Sequence, residues 1–244
     1  MNTHDLNTPA MRQGANTNGP GLESRDIVIR EYLPNDLEDC AKLAEQAWPF
    51  RGVGLSRLDE HNWQIGYVRS SLLWSNWAEV ACDQFGIVGV LFGRIDTDWS
   101  RTKSFWMIIN ELPVLARTLV EMPRNPTTAV ALSWSFLVTE AKLALKRPRT
   151  DAEIEFLIVD VKHRGRGAAK TLLERFFRAA SSSGAKVVTV YTDETGNRKF
   201  YEQMGFERVA TFHDNLVSYY YKGNLSGGVY LLRLDHSIKA SQNP

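Results

Sequence analysis

The segment from Ala152 to Ser182 constrains the fold more than any other part of the chain. Ala152 to Val159 (AEIEFLIV) is an apolar run of strand length with two acidic interruptions. His163 to Ala169 (HRGRGAA) follows, and a helix then continues to about Ser182 with Leu172, Leu173, Phe176, Phe177 and Ala180 as its apolar stripe. Gly184 closes that helix. Gly165, Gly167, Ala168 and Ala169 are small residues at a helix N-terminus, where backbone N–H groups can approach a ligand and the helix end carries partial positive charge. Arg164, Arg166 and Lys170 add formal charge. The turn reads as an anion site suited to a phosphate or pyrophosphate, or as a basic turn whose glycines serve tight packing. Neither the Gly-x-x-x-x-Gly-Lys-Ser/Thr loop nor a full dinucleotide fingerprint is present.

Around this unit the chain alternates strands and helices. Asp26 to Tyr32 alternates like a half-buried strand, and Pro34-Asn35-Asp36 starts a helix that Trp48-Pro49 ends. Residues 56 to 76 read as a second helix. Ala78 to Cys82 and Ile87 to Ile95 read as strands joined by a hairpin loop at residues 83 to 86. Phe105 to Val120 and Thr127 to Arg147 are apolar helical segments separated by the breaker Met122 to Pro126, and Pro113 should start or kink the first of them. Lys186 to Tyr191, Phe206 to His213 and Val229 to Leu234 are further strands, with a short helix at Asn197 to Met204. All seven tryptophans lie between Trp48 and Trp134, so the two halves pack differently.

Composition narrows the class. A net charge of +1 argues against a dedicated nucleic-acid binder. Cys40 and Cys82 can build neither a disulfide framework nor a four-ligand zinc site, and no His/Cys/Asp cluster has metal-ligand spacing, so no metal is expected. Residues 1 to 24 are expected to form a disordered tail, with no apolar signal region. The most apolar stretch, Ala129 to Val138, is short for a membrane span. These features suggest a cytoplasmic protein with no membrane partner.

The element order and four sequence pieces together resemble the GNAT superfamily of acyl-CoA-dependent N-acetyltransferases. Arg164-Gly165-Arg166-Gly167-Ala168-Ala169 resembles that family's Arg/Gln-x-x-Gly-x-Gly/Ala turn, with Ala169 where Gly is commoner. Glu155 to Val159 resembles the strand before it. Asn197 to Glu202 with Gly205-Phe206 resembles its Asn…Phe-Tyr-Glu…Gly-Phe segment, and Asp26 to Trp48 its first strand and helix. The resemblance covers most of residues 26 to 96 and 151 to 234. It implies an α/β (α+β) fold: a mixed, mostly antiparallel sheet of six to seven strands flanked by helices, with residues 97 to 150 as a helical-hairpin insertion. Residues 25 to 235 would form a single domain, followed by a tail at 236 to 244.

The resemblance also implies the chemistry. The strands at residues 155 to 159 and 186 to 191 would splay apart around acetyl-CoA. Backbone groups of Leu157, Ile158 and Val159 would bond the pantetheine amides, and Arg164, Gly165, Arg166, Gly167, Ala168, Ala169 and Lys170 would hold the pyrophosphate. Asn197 would lie near the pantetheine arm, although it sits only four residues before Tyr201 and reads equally as a helix N-cap. A backbone N–H near Ile158 would stabilise the oxyanion. Tyr201 would protonate the leaving thiolate, or be an ordinary core tyrosine beside Phe200 and Phe206. Glu153 and Glu155 share a strand face; either would serve as the base that frees the amine, or both face solvent. Asp193 and Glu194 are outside candidates for that role, and His163 reads as a solvent-facing loop residue.

The function implied is transfer of an acetyl group from acetyl-CoA to a small-molecule or peptide primary amine, by direct attack in a ternary complex. A non-catalytic acyl-CoA-binding module and a transferase for a longer acyl group are the competing readings. In the insertion, Phe105, Trp106, Trp134 and Phe136 fit an acceptor pocket or lid, a helical hairpin burying its own stripe, or a homodimer interface. Lys146-Arg147-Pro148-Arg149 reads as a solvated linker, and Tyr219-Tyr220-Tyr221 as an edge strand or dimer contact.

Overall fold

A computed structural model describes residues 27–49, 54–97, 101–193 and 198–234. The expected tails at 1–24 and 236–244 lie outside the described residues. The elements in chain order are β1 (Val28–Glu31), α1 (Leu37–Ala47), α2 (Arg57–Leu73), β2 (Trp77–Asp83), β3 (Gly86–Ile95), α3 (Arg101–Glu121) and α4 (Pro126–Lys146). There follow β4 (Ala152–Val159), α5 (Ala168–Ser182), β5 (Val187–Asp193), α6 (Arg198–Gln203), β6 (Glu207–His213), α7 (Asn215–Tyr221) and β7 (Ser226–Arg233). The seven strands form one sheet in the order β1-β2-β3-β4-β5-β7-β6. Every pairing is antiparallel except β4 with β5. This is the mixed, mostly antiparallel architecture expected from the sequence.

Helices cover both faces. On one face α5 buries Leu172, Leu173 and Phe176 completely against Leu91, Ile154, Val188 and Val190. Each such side chain contributes about 1.5–3 kcal/mol of burial. On the other face α1 and α2 cover Val80, Val90, Phe92, Phe156 and Ile158, with the Phe92 and Phe156 rings stacked at 5.3 Å. Ser56 starts α2 by accepting a hydrogen bond from the Asp59 N–H.

The insertion is a helical hairpin with a core of its own. Leu115, Met122, Ala129 and Leu132 are buried in it with Trp63 of α2. Helix α3 runs through Pro113 without ending there. It lies so close to α2 that a Cβ on Gly66 would stand 2.3 Å from Thr118 Oγ1. Of the four aromatics singled out in the insertion, Phe136 is buried, whereas Trp106 and Trp134 are exposed; the side chain of Phe105 lies outside the described residues.

Three local readings need correction. Helix α4 extends to 21 residues and is, by length and composition, long and apolar enough to cross a membrane, unlike the shorter apolar stretch read from the sequence. Tyr219 and its neighbours belong to a helix rather than an edge strand: Asp214 caps α7 by accepting from the Val217 N–H at 2.9 Å, and Lys222 ends it at φ 51°. Arg147 is not a solvated linker residue. It is 7% exposed and turns inward toward the sheet.

Candidate active site

The parallel pairing of β4 with β5 stops early. It joins Ala152, Glu153 and Ile154 to Val188, Thr189 and Val190 and goes no further, so the rest of β4 leaves its β5-facing edge unpaired. On the other side β4 remains paired with β3 as far as Val159. The Asp160 N–H bonds Val88 O across that side at 2.8 Å. Alternation then turns the Ile158 N–H toward β3 and the Leu157 and Val159 N–H groups toward the open edge. The N–H groups that face the opening are therefore those of Leu157 and Val159, not that of Ile158.

A cavity of about 690 Å³ fills the opening. At one end it meets the turn before α5. Gly165 and Gly167 adopt φ of +77° and +86°, a region that L side chains rarely adopt, and nothing lies within 4 Å of where a Cβ would project. Leu157, Ile158, Val159, Arg164, Gly165, Gly167, Ala168, Ala169 and Lys170 all line the cavity. The structure thus brings together nearly every residue singled out for a cofactor. Arg166 is the exception: it is exposed and does not line the cavity. Asn197 and Glu194 lie outside the described residues, as does the side chain of Asp193. His163 is not the solvent-facing residue expected. Its Nε2 lies 3.2 Å from Asp83 Oδ2, an ion pair when the ring is protonated, which ties the turn to the β2–β3 hairpin.

Tyr201 also lines the cavity, 5% exposed, with its ring edge-on to Phe200 and Phe206. Burial pushes its phenol above the ordinary range, so it stays protonated at neutral pH.

Glu153 and Glu155 do not face solvent. The β3–β4 register steps from Phe92↔Phe156 to Gly93↔Ile154, which makes Glu155 the extra residue of a β-bulge. Both carboxylates meet Arg94: Glu153 Oε2 accepts from its Nη2, and Glu155 Oε1 from its Nη1 at 3.2 Å. Arg147 Nη2 stands 3.0 Å from the other oxygen of Glu153. The Arg147 guanidinium lies 5.1 Å from the Trp74 and Tyr191 ring centres and donates to the Tyr191 hydroxyl at 3.2 Å. Burial, reinforced by Glu153, raises the Glu155 carboxyl well above the usual carboxylate range against the pull of Arg94 and Arg147. Both carboxylates line the cavity, Glu153 with no exposure of its own and Glu155 with 12% side-chain exposure.

Sequence reasoning missed Arg94, Arg147 and Glu140. Arg94 had a signal: a cation in the apolar run of β3 needs a buried counter-charge. Glu140 had one too, as the sole acidic residue of α4. It lines the far end of the cavity with Phe136, Thr139 and Leu143 of the same helix.

The sequence family described as the acetyltransferase (GNAT) family matches residues 130–206, from α4 through the turn to the end of β4–α6. No curated protein matches the chain. Among solved structures, PH1933 from Pyrococcus horikoshii is similar in fold, with a TM-score of 0.53 and 13% identity over 85% of this chain and 98% of that one. A GNAT-family protein from Desulfovibrio desulfuricans is similar too, with a TM-score of 0.51 and 12% identity over 86% of this chain and 99% of that one. At such identities the likeness is one of fold. The family match over residues 130–206 supports acyl transfer as the general activity. Residues 130–206 are thus similar to the acetyltransferase (GNAT) family, and the fold as a whole is similar to that of the Desulfovibrio desulfuricans GNAT-family structure.

Proposed function

We propose that the protein transfers an acetyl group from acetyl-CoA to a primary amine by direct attack in a ternary complex. The observation that carries this reading is one continuous cavity running from the Gly165–Lys170 turn, along the unpaired edge of β4, to Tyr201 and the carboxylates. The residues fit acyl-CoA: the open positive-φ glycines leave room for a pyrophosphate on the α5 N-terminus, and the β4 edge offers unpaired backbone groups to pantetheine amides. Bound there, acetyl-CoA supplies an acyl group activated as a thioester.

The chain supplies the rest. Glu155, its carboxyl raised to about 8, in its ionised form takes a proton from the acceptor ammonium directly or through one water, leaving a neutral amine to attack. The Leu157 and Val159 N–H groups face the side where the carbonyl oxygen gains charge. Tyr201 gives its proton to the sulfur as the C–S bond breaks, and takes up the second proton that the nitrogen loses once the C–N bond has formed. Glu153, held by Arg94 and Arg147, positions Arg94 against Glu155.

Calorimetric titration with acetyl-CoA and CoA, followed by a thiol-release assay with a panel of amines, tests the proposal. Saturable binding with amine-dependent thiol release is expected. Binding without release from any amine would favour the acyl-CoA-binding module, and release only from longer acyl thioesters the alternative donor. Failure of folded protein to bind either ligand would overturn the assignment of the turn.

A further inference from the structure

Among the described residues four carboxylates, Glu140, Glu153, Glu155 and Asp214, line the cavity, with Glu111 buried outside its lining; all but Glu140 hold hydrogen-bond or ion-pair partners. Glu153 and Glu155 face Arg94 on β3 and Arg147 beyond α4. Asp214 caps α7 and accepts from Thr139 at 3.5 Å. Glu111 of α3 accepts from Ser70 Oγ at 2.7 Å and from the Trp74 indole. Glu140 is different. It is half-buried and lines the cavity, and among the described residues no hydrogen bond or ion pair reaches its carboxylate. Lys142, two residues on, donates instead to Asn215 at 2.7 Å. The cation that acts on Glu140, Arg147, makes its ion pair with Glu153 instead, so the Glu140 carboxylate is left to be matched by a cation that a ligand brings. Beside it the walls are apolar and ring-bearing: Trp63, Tyr67, Phe136, Phe212 and Leu216.

We infer that Glu140 binds the ammonium group of the acceptor, and that the acceptor is a monocationic amine with a compact apolar or aromatic body. This rests on the transferase reading above and names its substrate class. A polyamine would set its second ammonium against the apolar and ring-bearing wall or against carboxylates already engaged by Arg94, Arg147 and the α7 cap. A free amino acid would bring its own carboxylate against Glu140, Glu153 and Glu155. Burial holds the Glu140 carboxyl up to about 7, with Glu111, Glu153 and Asp214 pushing the same way and Arg147 opposing. An ammonium partner acts in the other direction. Binding therefore ionises Glu140 and releases a proton near neutral pH.

The test is calorimetry of the whole protein with 2-phenylethylamine, phenylalanine and spermidine as probes, in buffers of different ionisation enthalpy, on wild type, Glu140→Gln and Glu140→Ala. For 2-phenylethylamine the expected result is proton release on binding to wild type, and affinity roughly ten- to hundredfold lower with no proton release in both variants. Acetyl-CoA affinity should be unchanged. Phenylalanine and spermidine should bind wild type at least about tenfold more weakly than 2-phenylethylamine. Equal binding of 2-phenylethylamine by the variants, its failure to bind wild type, or a preference for either other probe would overturn the inference. Glu140-dependent binding of an amine that is never acetylated would instead sink the transferase reading and leave this site standing.

Discussion

Replacing Arg147 by Met probes the joint between the inserted hairpin and the sheet. Arg147 is 7% exposed and faces Glu153, which has no exposure at all. Removing one partner of a buried ion pair costs about 3–5 kcal/mol, because the remaining charge is stranded. Arg94 still holds the second oxygen of Glu153, and Met refills part of the space between the Trp74 and Tyr191 rings. The lower end, about 3 kcal/mol, is therefore expected. At roughly 2–4 °C per kcal/mol for a chain of this size, the unfolding midpoint falls by about 6–12 °C. Arg147→Met with Glu153→Met removes both charges and should recover about 2 kcal/mol or more relative to the sum of the single changes. Urea unfolding followed by circular dichroism and tryptophan fluorescence measures all three variants. A cost below about 1 kcal/mol for Arg147→Met, or additivity within about 0.5 kcal/mol, would refute the claim that this pair ties α4 to β4.

Four further outcomes follow from the same geometry. Tyr201→Phe should lower turnover by roughly ten- to a hundredfold with little change in acetyl-CoA affinity, and unchanged turnover in a chemistry-limited assay would remove Tyr201 as the acid. Gly167→Glu places a strained, like-charged side chain at the phosphate turn, and calorimetry should show acetyl-CoA binding weakened by about tenfold or more. Gly66→Ala should cost about 1–3 kcal/mol through its clash with Thr118, and clearly less in a Thr118→Ala background, where only the Thr118 Cβ at 3.2 Å remains in tight contact; equal costs by urea unfolding would refute the clash. Glu140 carries a carboxyl raised from 4.5 to about 7 in the folded chain, so the folded state binds the extra proton and stability is lost as pH rises through that window. Glu140→Gln should flatten this slope and gain up to about 3 kcal/mol above neutrality, as read by urea unfolding across pH.

The parts of the site that were legible in the sequence are those whose signal is local. The glycines at 165 and 167 mark a turn because only backbone freedom explains them there, and the stripe Leu172, Leu173, Phe176 and Ala180 marks a helix by its period. Contacts distant in sequence left weaker traces. Arg147 stands in a basic run beside Pro148, which locally looks like any solvated linker; its partner Glu153 becomes visible only when α4 and β4 meet. The bulge at Glu155 has no sequence signature, so simple alternation gave the right pairing of the two carboxylates without the register step that lies between them. The tyrosines at 219 to 221 have strand propensity, but the Asp214 cap and the left-handed Lys222 enclose them in a helical turn. Propensity yielded to capping.

The division of the cavity has a functional consequence. The end proposed for the cofactor is built from backbone: the edge of β4, the turn and the N-terminus of α5, all within one contiguous stretch of chain. The end proposed for the acceptor is built from side chains, and α4 of the insertion contributes Phe136, Thr139, Glu140 and Leu143 to the cavity lining. Backbone sites tolerate sequence change so long as the glycines keep their conformation, whereas side-chain walls change chemistry with each substitution. Arg147 couples the two ends mechanically, since it lies just past α4 and its partner Glu153 lies on β4, two residues before the strand edge opens. On the proposed function, substitutions along the cavity face of α4 should alter which amine is accepted while leaving acyl-CoA binding at the turn unchanged, provided that the Arg147–Glu153 pair still holds the helix against the sheet.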